Sequence, residues 1–202
     1  MKSVASSVEA VVIGGSAGAF DVLRVLVPAL PRESAAPIII LLHVATDGPG
    51  ILHEVLAHWT SLPVTQAEDK EPIVGGRIYV APPGYHLLVE RDRTFALSMD
   101  EPVNYSRPAI DVLFESAADA YGEGLMGVLL TGASSDGALG LQAIHRRGGT
   151  TVVQTPMSSE VALMPESAMR LFKPDHVLAP AQIASLLAGA VAAAAPTKPD
   201  HV

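Results

Sequence analysis

Cysteine is absent from the 202 residues. That excludes disulfide staples, thiol nucleophiles and thiolate metal ligands together. Positive charge is scarce as well: 13 Lys and Arg against 21 Asp and Glu leave a formal net charge of -8. No broad basic face is available for nucleic acid. The first residues lack a basic start followed by a long apolar run, so no secretory signal or membrane insertion is expected, and cytoplasmic residence follows. Only the alanine-rich stretch from Ala179 to Ala195 invites a membrane reading; Gln182, Ser185 and its modest length make it a closing helix instead. What is present is a 49% hydrophobic composition, sufficient for one sizeable core and too high for general disorder.

The stretch AVVIGGSAGAFDVLRVL, from Ala10 to Leu26, organises the chain. An apolar run, Ala10 to Ile13, ends in a small-residue turn centred on Ser16, and helical spacing resumes from Ala19 through Leu30, with Phe20, Leu23 and Val27 on one side. A second apolar run, Ile38 to Leu42, ends at His43. Two such strands separated by a helix predict a parallel crossover, which places Ser16 and His43 at the same carboxyl edge. The amides at the start of the following helix point there too and favour developing negative charge.

Beyond His43, Asp47, Gly48 and Pro49 mark a loop, Ile51 to Trp59 a short helix and Pro63 to Gln66 a strand. Ile78 to Val80 is another strand, and His86 to Glu90 with Thr94 to Met99 forms a hairpin across the charged turn Arg91 to Arg93. Ser106 is expected to cap a helix carrying Pro108 in its first turn and Ile110, Leu113, Phe114 and Ala117 on its apolar side. Leu125 to Leu130 and Thr151 to Gln154 are strands. A helix begins near Ala138, and Val161 to Met169 and Ile183 to Ala192 are helical. The predicted fold class is α/β: an open, mostly parallel sheet with flanking helices and a small antiparallel excursion, a mixed sheet in the middle region. Residues 1–202 form one domain with a short flexible lead-in and tail.

Asp136 lies in the loop between Leu125–Leu130 and the helix near Ala138. With a parallel third strand, that loop opens on the face holding Ser16 and His43. The three residue types then suit acyl transfer. Serine is a poor nucleophile at its ordinary pKa, so His43 must take its proton and return one to the leaving alcohol. Asp136 would hold the imidazole tautomer and stabilise the imidazolium. Backbone N–H groups near Ala17 or Ala133 are candidates to hold the oxyanion. The order Ser, His, Asp differs from that of α/β-hydrolases.

Over nearly its full length the chain resembles the catalytic domain of the CheB chemotaxis protein-glutamate methylesterases. The resemblance rests on VVIGGSAGAFDVLRVLVPALP, LLHV, GGRIYVAPPGYHLLV, SRPAIDVLFESAA, GVLLTGASSDGALGLQAIHRRGGTTVVQ and SSEVALMPESA, in shared order. It implies hydrolysis of glutamate methyl esters on chemoreceptors with release of methanol, and glutamine deamidation in some members. It also puts the family nucleophile on Ser16, its histidine on His43 and its aspartate on Asp136. Two positions depart from the family pattern: Ala17 replaces a hydroxyl residue, and Ala133 in TGAS replaces the methionine of TGMG. The family's long form carries a receiver domain for which this chain has no room, so a stand-alone catalytic domain is expected, with any regulator acting in trans. The implied partner is a methylated chemoreceptor or related signalling protein, and no cofactor or metal is expected.

Arg107, in SRPAID, is a candidate for binding substrate carboxylates or backbone carbonyls, the alternative being a helix anchor. His86, in APPGYHL, reads as a packed or hydrogen-bonded loop histidine, the alternative being a catalytic role. His53 and His58, five positions apart, share no helical face suited to a metal. The GGSAG turn lacks the GxxxxGK[ST] pattern of a phosphate loop. The alternative from another functional class is a non-catalytic protein-interaction domain using the same cleft; an open oxyanion pocket would favour the enzyme.

Overall fold

Apolar runs too continuous for a half-exposed strand set the centre of the molecule. In the computed structural model, which describes residues 8–43 and 51–192, these runs become β1 (Ala10–Gly15), β2 (Ile38–Leu42) and β7 (Leu125–Leu129), every residue of which is buried. Shorter strands complete the set: β3 (Val64–Gln66), β4 (Ile78–Val80), β5 (His86–Val89), β6 (Phe95–Ser98), β8 (Thr150–Gln154) and β9 (His176–Leu178). Seven of them form one sheet in the order β3-β4-β2-β1-β7-β8-β9, with every neighbouring pair parallel.

Helices cover both faces. On one lie α1 (Ala19–Leu26), α2 (Leu52–Ala57) and α6 (Pro180–Val191), packed with Val11, Ile13, Ile38, Ile40 and Val128. On the other lie α3 (Ile110–Tyr121), α4 (Ala138–Arg146) and α5 (Leu163–Leu171), packed with Val12, Ile39, Leu41 and Leu129. Alternate strand residues thus serve alternate layers, which is why the strands read as unbroken apolar runs. Two close approaches bring α3 to the site. A Cβ on Gly14 would sit 2.4 Å from Ile110 Cγ2, and one on Gly140 2.6 Å from Phe114 Cβ. Only glycine lets the start of α3 settle against both β1 and α4.

The strand order reverses beside β1. From β1 the chain passes to β2, then to the edge strand β3 and back to β4 between β3 and β2, before β7 is added on the other side of β1. The turn after β1 leads to α1 on one face and the loop after β7 leads to α4 on the other, so a crevice opens at the carboxyl ends of these neighbours.

The α/β architecture agrees with the sequence reading, with local corrections. The antiparallel excursion, β5 paired with β6, is a separate two-stranded sheet; the main sheet is therefore parallel throughout rather than mixed. The first helix ends at Leu26, and Val27–Ala29 make a tighter turn, because Pro28 has no N–H for a further α-helical bond. Ser106 does not cap α3: the capping position is Ala109, Pro108 precedes it, and the Ser106 amide instead bonds to Val103. The helix expected over Ile183 to Ala192 starts three residues earlier, at Pro180, a position where the missing N–H costs nothing. The loop at Asp47, Gly48 and Pro49, residues 1–7 of the lead-in and residues 193–202 of the tail lie outside the described residues. No helix among the described residues is long and apolar enough to cross a membrane.

Candidate active site

The end of β1 is set by backbone hydrogen bonds. Ser16 N–H donates to the Thr131 carbonyl at 3.0 Å and His43 N–H to the Gly15 carbonyl at 3.0 Å, extending the ladder one residue on either side of β1. Ser16 and His43 therefore stand side by side past the last paired residues, Gly15 and Leu42. Ala19 N–H closes the turn back onto the Ser16 carbonyl at 2.9 Å. With its own amide spent on Thr131, Ser16 is not an oxyanion donor. Among the described residues, neither the Ala17 nor the Ala133 amide makes a hydrogen bond. Ala133 is exposed rather than packed into the cleft.

The loop after β7 approaches from the other flank. Thr131 joins three segments: its hydroxyl lies 3.0 Å from the Ala17 carbonyl and 3.1 Å from the Val161 carbonyl, and accepts Val161 N–H at 3.0 Å. Its own N–H donates to the buried Gln154 side chain at 2.9 Å. Gly132 lies close enough to Ser16 that an added Cβ would meet Ser16 Cβ at 3.0 Å.

Asp136 is completely buried, and four donors converge on its carboxylate. His43 Nε2 lies 2.8 Å from Oδ2 and Asn104 Nδ2 3.0 Å from Oδ1. The first amides of α3 supply the others, Ile110 N–H to Oδ2 at 2.6 Å and Asp111 N–H to Oδ1 at 3.1 Å. The cap that α3 does not receive from Ser106 thus comes from Asp136, across 26 residues of sequence, where the helix end favours negative charge. Burial alone would push this carboxyl up. The bonds from His43, Asn104, Ile110 and Asp111 outweigh it and hold Asp136 below the ordinary carboxylate range.

An ionised Asp136 only accepts, so His43 Nε2 carries the proton of this bond, and in a neutral imidazole the lone pair falls on Nδ1. That tautomer is the one a base needs, and 14% of the His43 side chain is still exposed. The imidazole can take a proton and hold the resulting cation against Asp136; among the described residues no hydrogen bond joins it to the Ser16 hydroxyl, which stands on the adjoining strand end.

The other sequence candidates have different roles. Arg107 Nη1 bonds to the Met99 and Asp100 carbonyls at 3.0 and 3.1 Å, pinning the loop that leads into α3. His86 is buried; its Nδ1 accepts Ala109 N–H at 3.2 Å and its Nε2 lies 3.1 Å from the Glu101 carbonyl. It is a hydrogen-bonded histidine at the start of β5, not in a loop. His58 Nδ1 lies 2.7 Å from the Glu54 carbonyl, and no cluster of metal-ligating side chains occurs among the described residues. Sequence reasoning missed Asn104 and Asp111. The only available signal was an acid, Asp111, set between apolar positions at the start of a helix.

Comparison with known proteins bears directly on this arrangement. The family model described as CheB methylesterase matches residues 11–187. The chain belongs to the CheB methylesterase family. A relative from Leptospira interrogans is 47% identical over 178 residues, 88% of this chain and 92% of that one. The protein-glutamate methylesterase/protein-glutamine glutaminase 1 of Carboxydothermus hydrogenoformans is 37% identical over 183 residues, and the match spans 54% of its length. The crystal structure of the Thermotoga maritima CheB methylesterase catalytic domain superposes with a TM-score of 0.86 at 31% identity, covering 92% of this chain and all of that one. The match to the CheB family model contains Ser16, His43, Asn104, Asp111 and Asp136.

Proposed function

We propose that this domain hydrolyses methyl esters of glutamate side chains on a chemoreceptor or related signalling protein, by a serine acyl-transfer route. The observation that carries the reading is the 2.8 Å bond from His43 Nε2 to a buried, ionised Asp136, with Ser16 on the adjoining strand end. Ser16 Oγ attacks the ester carbonyl carbon while His43 Nδ1 takes its proton. The free Ala17 and Ala133 amides receive the oxyanion. As the C–O bond to methoxide breaks, His43 returns the proton and methanol leaves. Water then attacks the acyl-serine, His43 takes a proton from it and delivers that proton to Ser16 Oγ, and a glutamate carboxylate departs. Asp136 stays ionised throughout. A glutamine amide in the same place would release ammonia.

Arg107 Nη1 holds the rim loop, and we assign Nη2 to a substrate carbonyl or carboxylate. A non-catalytic binding role would be favoured by a cleft closed on the Ala133 side, whereas Ala133 is exposed. The test is methanol release from a methylated receptor fragment by the parent and by folded Ser16→Ala protein. Release by the parent alone supports the reading; equal release by both overturns Ser16 as the nucleophile.

A further inference from the structure

We propose that Asn104 is a positioning residue of this site, bridging two buried carboxylates so that Asp136 stays ionised and aimed at His43. The proposal rests on the acyl-transfer reading above for its catalytic consequence. Asn104 Nδ2 lies 3.0 Å from Asp136 Oδ1 and 2.8 Å from Asp111 Oδ2. An amide nitrogen has two hydrogens, one for each acid, and no other side chain among the described residues bridges the two. The orientation of the amide follows from its neighbours: its oxygen would meet a carboxylate oxygen, and only its nitrogen can face both.

Asp111 is itself buried in the first turn of α3, with Oδ1 accepting Gly140 N–H at 2.7 Å. Burial pushes it up to about 6, the charges of Asp136 and Glu115 add to that, and the bonds from Gly140 and Asn104 oppose it. At neutral pH two negative charges therefore face one another through a single amide. Without Asn104 their repulsion would act directly on the carboxylate that orients the imidazole.

The backbone around Asn104 is built to present that amide. Asn104 and Tyr105 are both left-handed, with φ of 52° and 61°, in a turn closed by reciprocal bonds between Val103 and Ser106 at 3.2 and 2.9 Å. Such a conformation is uncommon for tyrosine. The Tyr105 ring is fully exposed, so its packing does not account for the turn. The side chain of Asn104 ties the turn to the site.

Asparagine also suits left-handed backbone, and the experiment separates that role from the bridge. The parent is compared with Asn104→Gly, which accepts the backbone but has no amide side chain; with Asn104→Asp, which keeps the shape and supplies a third acceptor; and with Asn104→Gly/Asp111→Asn, which removes the opposing charge. Folding is checked by circular dichroism and melting. Two quantities are read: the titration midpoint of the Asp136 carboxyl carbon by NMR, and the rate at which a fluorophosphonate probe phosphonylates Ser16.

Asn104→Gly is expected to raise the Asp136 midpoint by about one unit and, by the same free energy, to slow labelling about tenfold. Asn104→Asp should exceed both effects, and the double variant should recover part of each. An unchanged Asp136 midpoint in folded Asn104→Gly, or no recovery in the double variant, overturns the bridge. If the parent is not labelled at Ser16, the serine reading fails separately, and the carboxyl titration alone decides whether Asn104 bridges the acids.

Discussion

The two sides of the cleft are held by different means. On the Ser16 side, position comes from backbone: the ladder bonds of Ser16 and His43 continue β1 and β2, and Gly14 lets α3 close over the strand. On the Asp136 side, position comes from side chains: His43, Asn104 and the bare end of α3 meet on one carboxylate. Backbone placement tolerates loss of the side chain it presents. A side-chain network does not, because removing one member leaves buried donors unmatched.

The comparison predicts where substitutions act. Ser16→Ala is expected to abolish esterase activity while leaving the melting temperature within a degree or two of the parent, roughly a surface-type effect of at most about 0.5 kcal/mol. Asp136→Asn should lower kcat by on the order of ten-thousandfold and, unlike Ser16→Ala, also lower the melting temperature, since four donors lose an anionic acceptor. Steady-state kinetics and melts of both proteins check the contrast; a fully stable Asp136→Asn would break it.

Smaller effects sharpen the account. Gly14→Ala places a Cβ 2.4 Å from Ile110 Cγ2, and overpacking of this kind costs about 1–3 kcal/mol. It should destabilise the fold and, by shifting α3, weaken the cap on Asp136; denaturant unfolding and kcat measured together would register both. Thr131→Val keeps the shape but removes the hydroxyl that joins the Ser16 turn to Val161, and about 1–3 kcal/mol of stability should go with it.

The smallest effect is a pH dependence. Asp111 is pushed up to about 6, chiefly by burial, from an ordinary value of 3.8. Its folded pKa lies above its unfolded one, so its contribution to stability is complete below about pH 4 and is lost as pH rises through about 6. Asp136 has the opposite sign: held low, it contributes above the ordinary carboxylate range and loses that contribution as pH falls through its depressed value. Between pH 7.5 and pH 5 the parent should therefore gain stability relative to Asp111→Asn, by roughly the free energy of a pKa shift of about two units at most. Melting curves across that window check the sign, and a parent that loses ground to the variant on acidification would contradict it.

The same contrast explains what could be read from the residues alone. The apolar runs of β1, β2 and β7 and the small-residue turn at Ser16 are local signals, so the parallel sheet and the strand-end placement of two candidate positions, Ser16 and His43, were legible as soon as the strands were placed. Asp136 was legible through the crossover logic, because its loop follows a strand beside β1. The edge strand β9 was not: three residues, His176, Val177 and Leu178, make no apolar run. Ser106 is not the cap its position suggests, because the cap of α3 arrives from Asp136, 26 residues beyond Ile110. Asn104 carried no signal either, since its partners at 111 and 136 meet it only after α3 and α4 have packed.

The most direct test of acyl transfer is to quench the domain during turnover of an activated ester and map the acyl group by mass spectrometry. One acyl addition, on Ser16, is expected in the parent and none in Ser16→Ala. An acyl group on another residue, or steady hydrolysis by the Ser16→Ala protein, would contradict it.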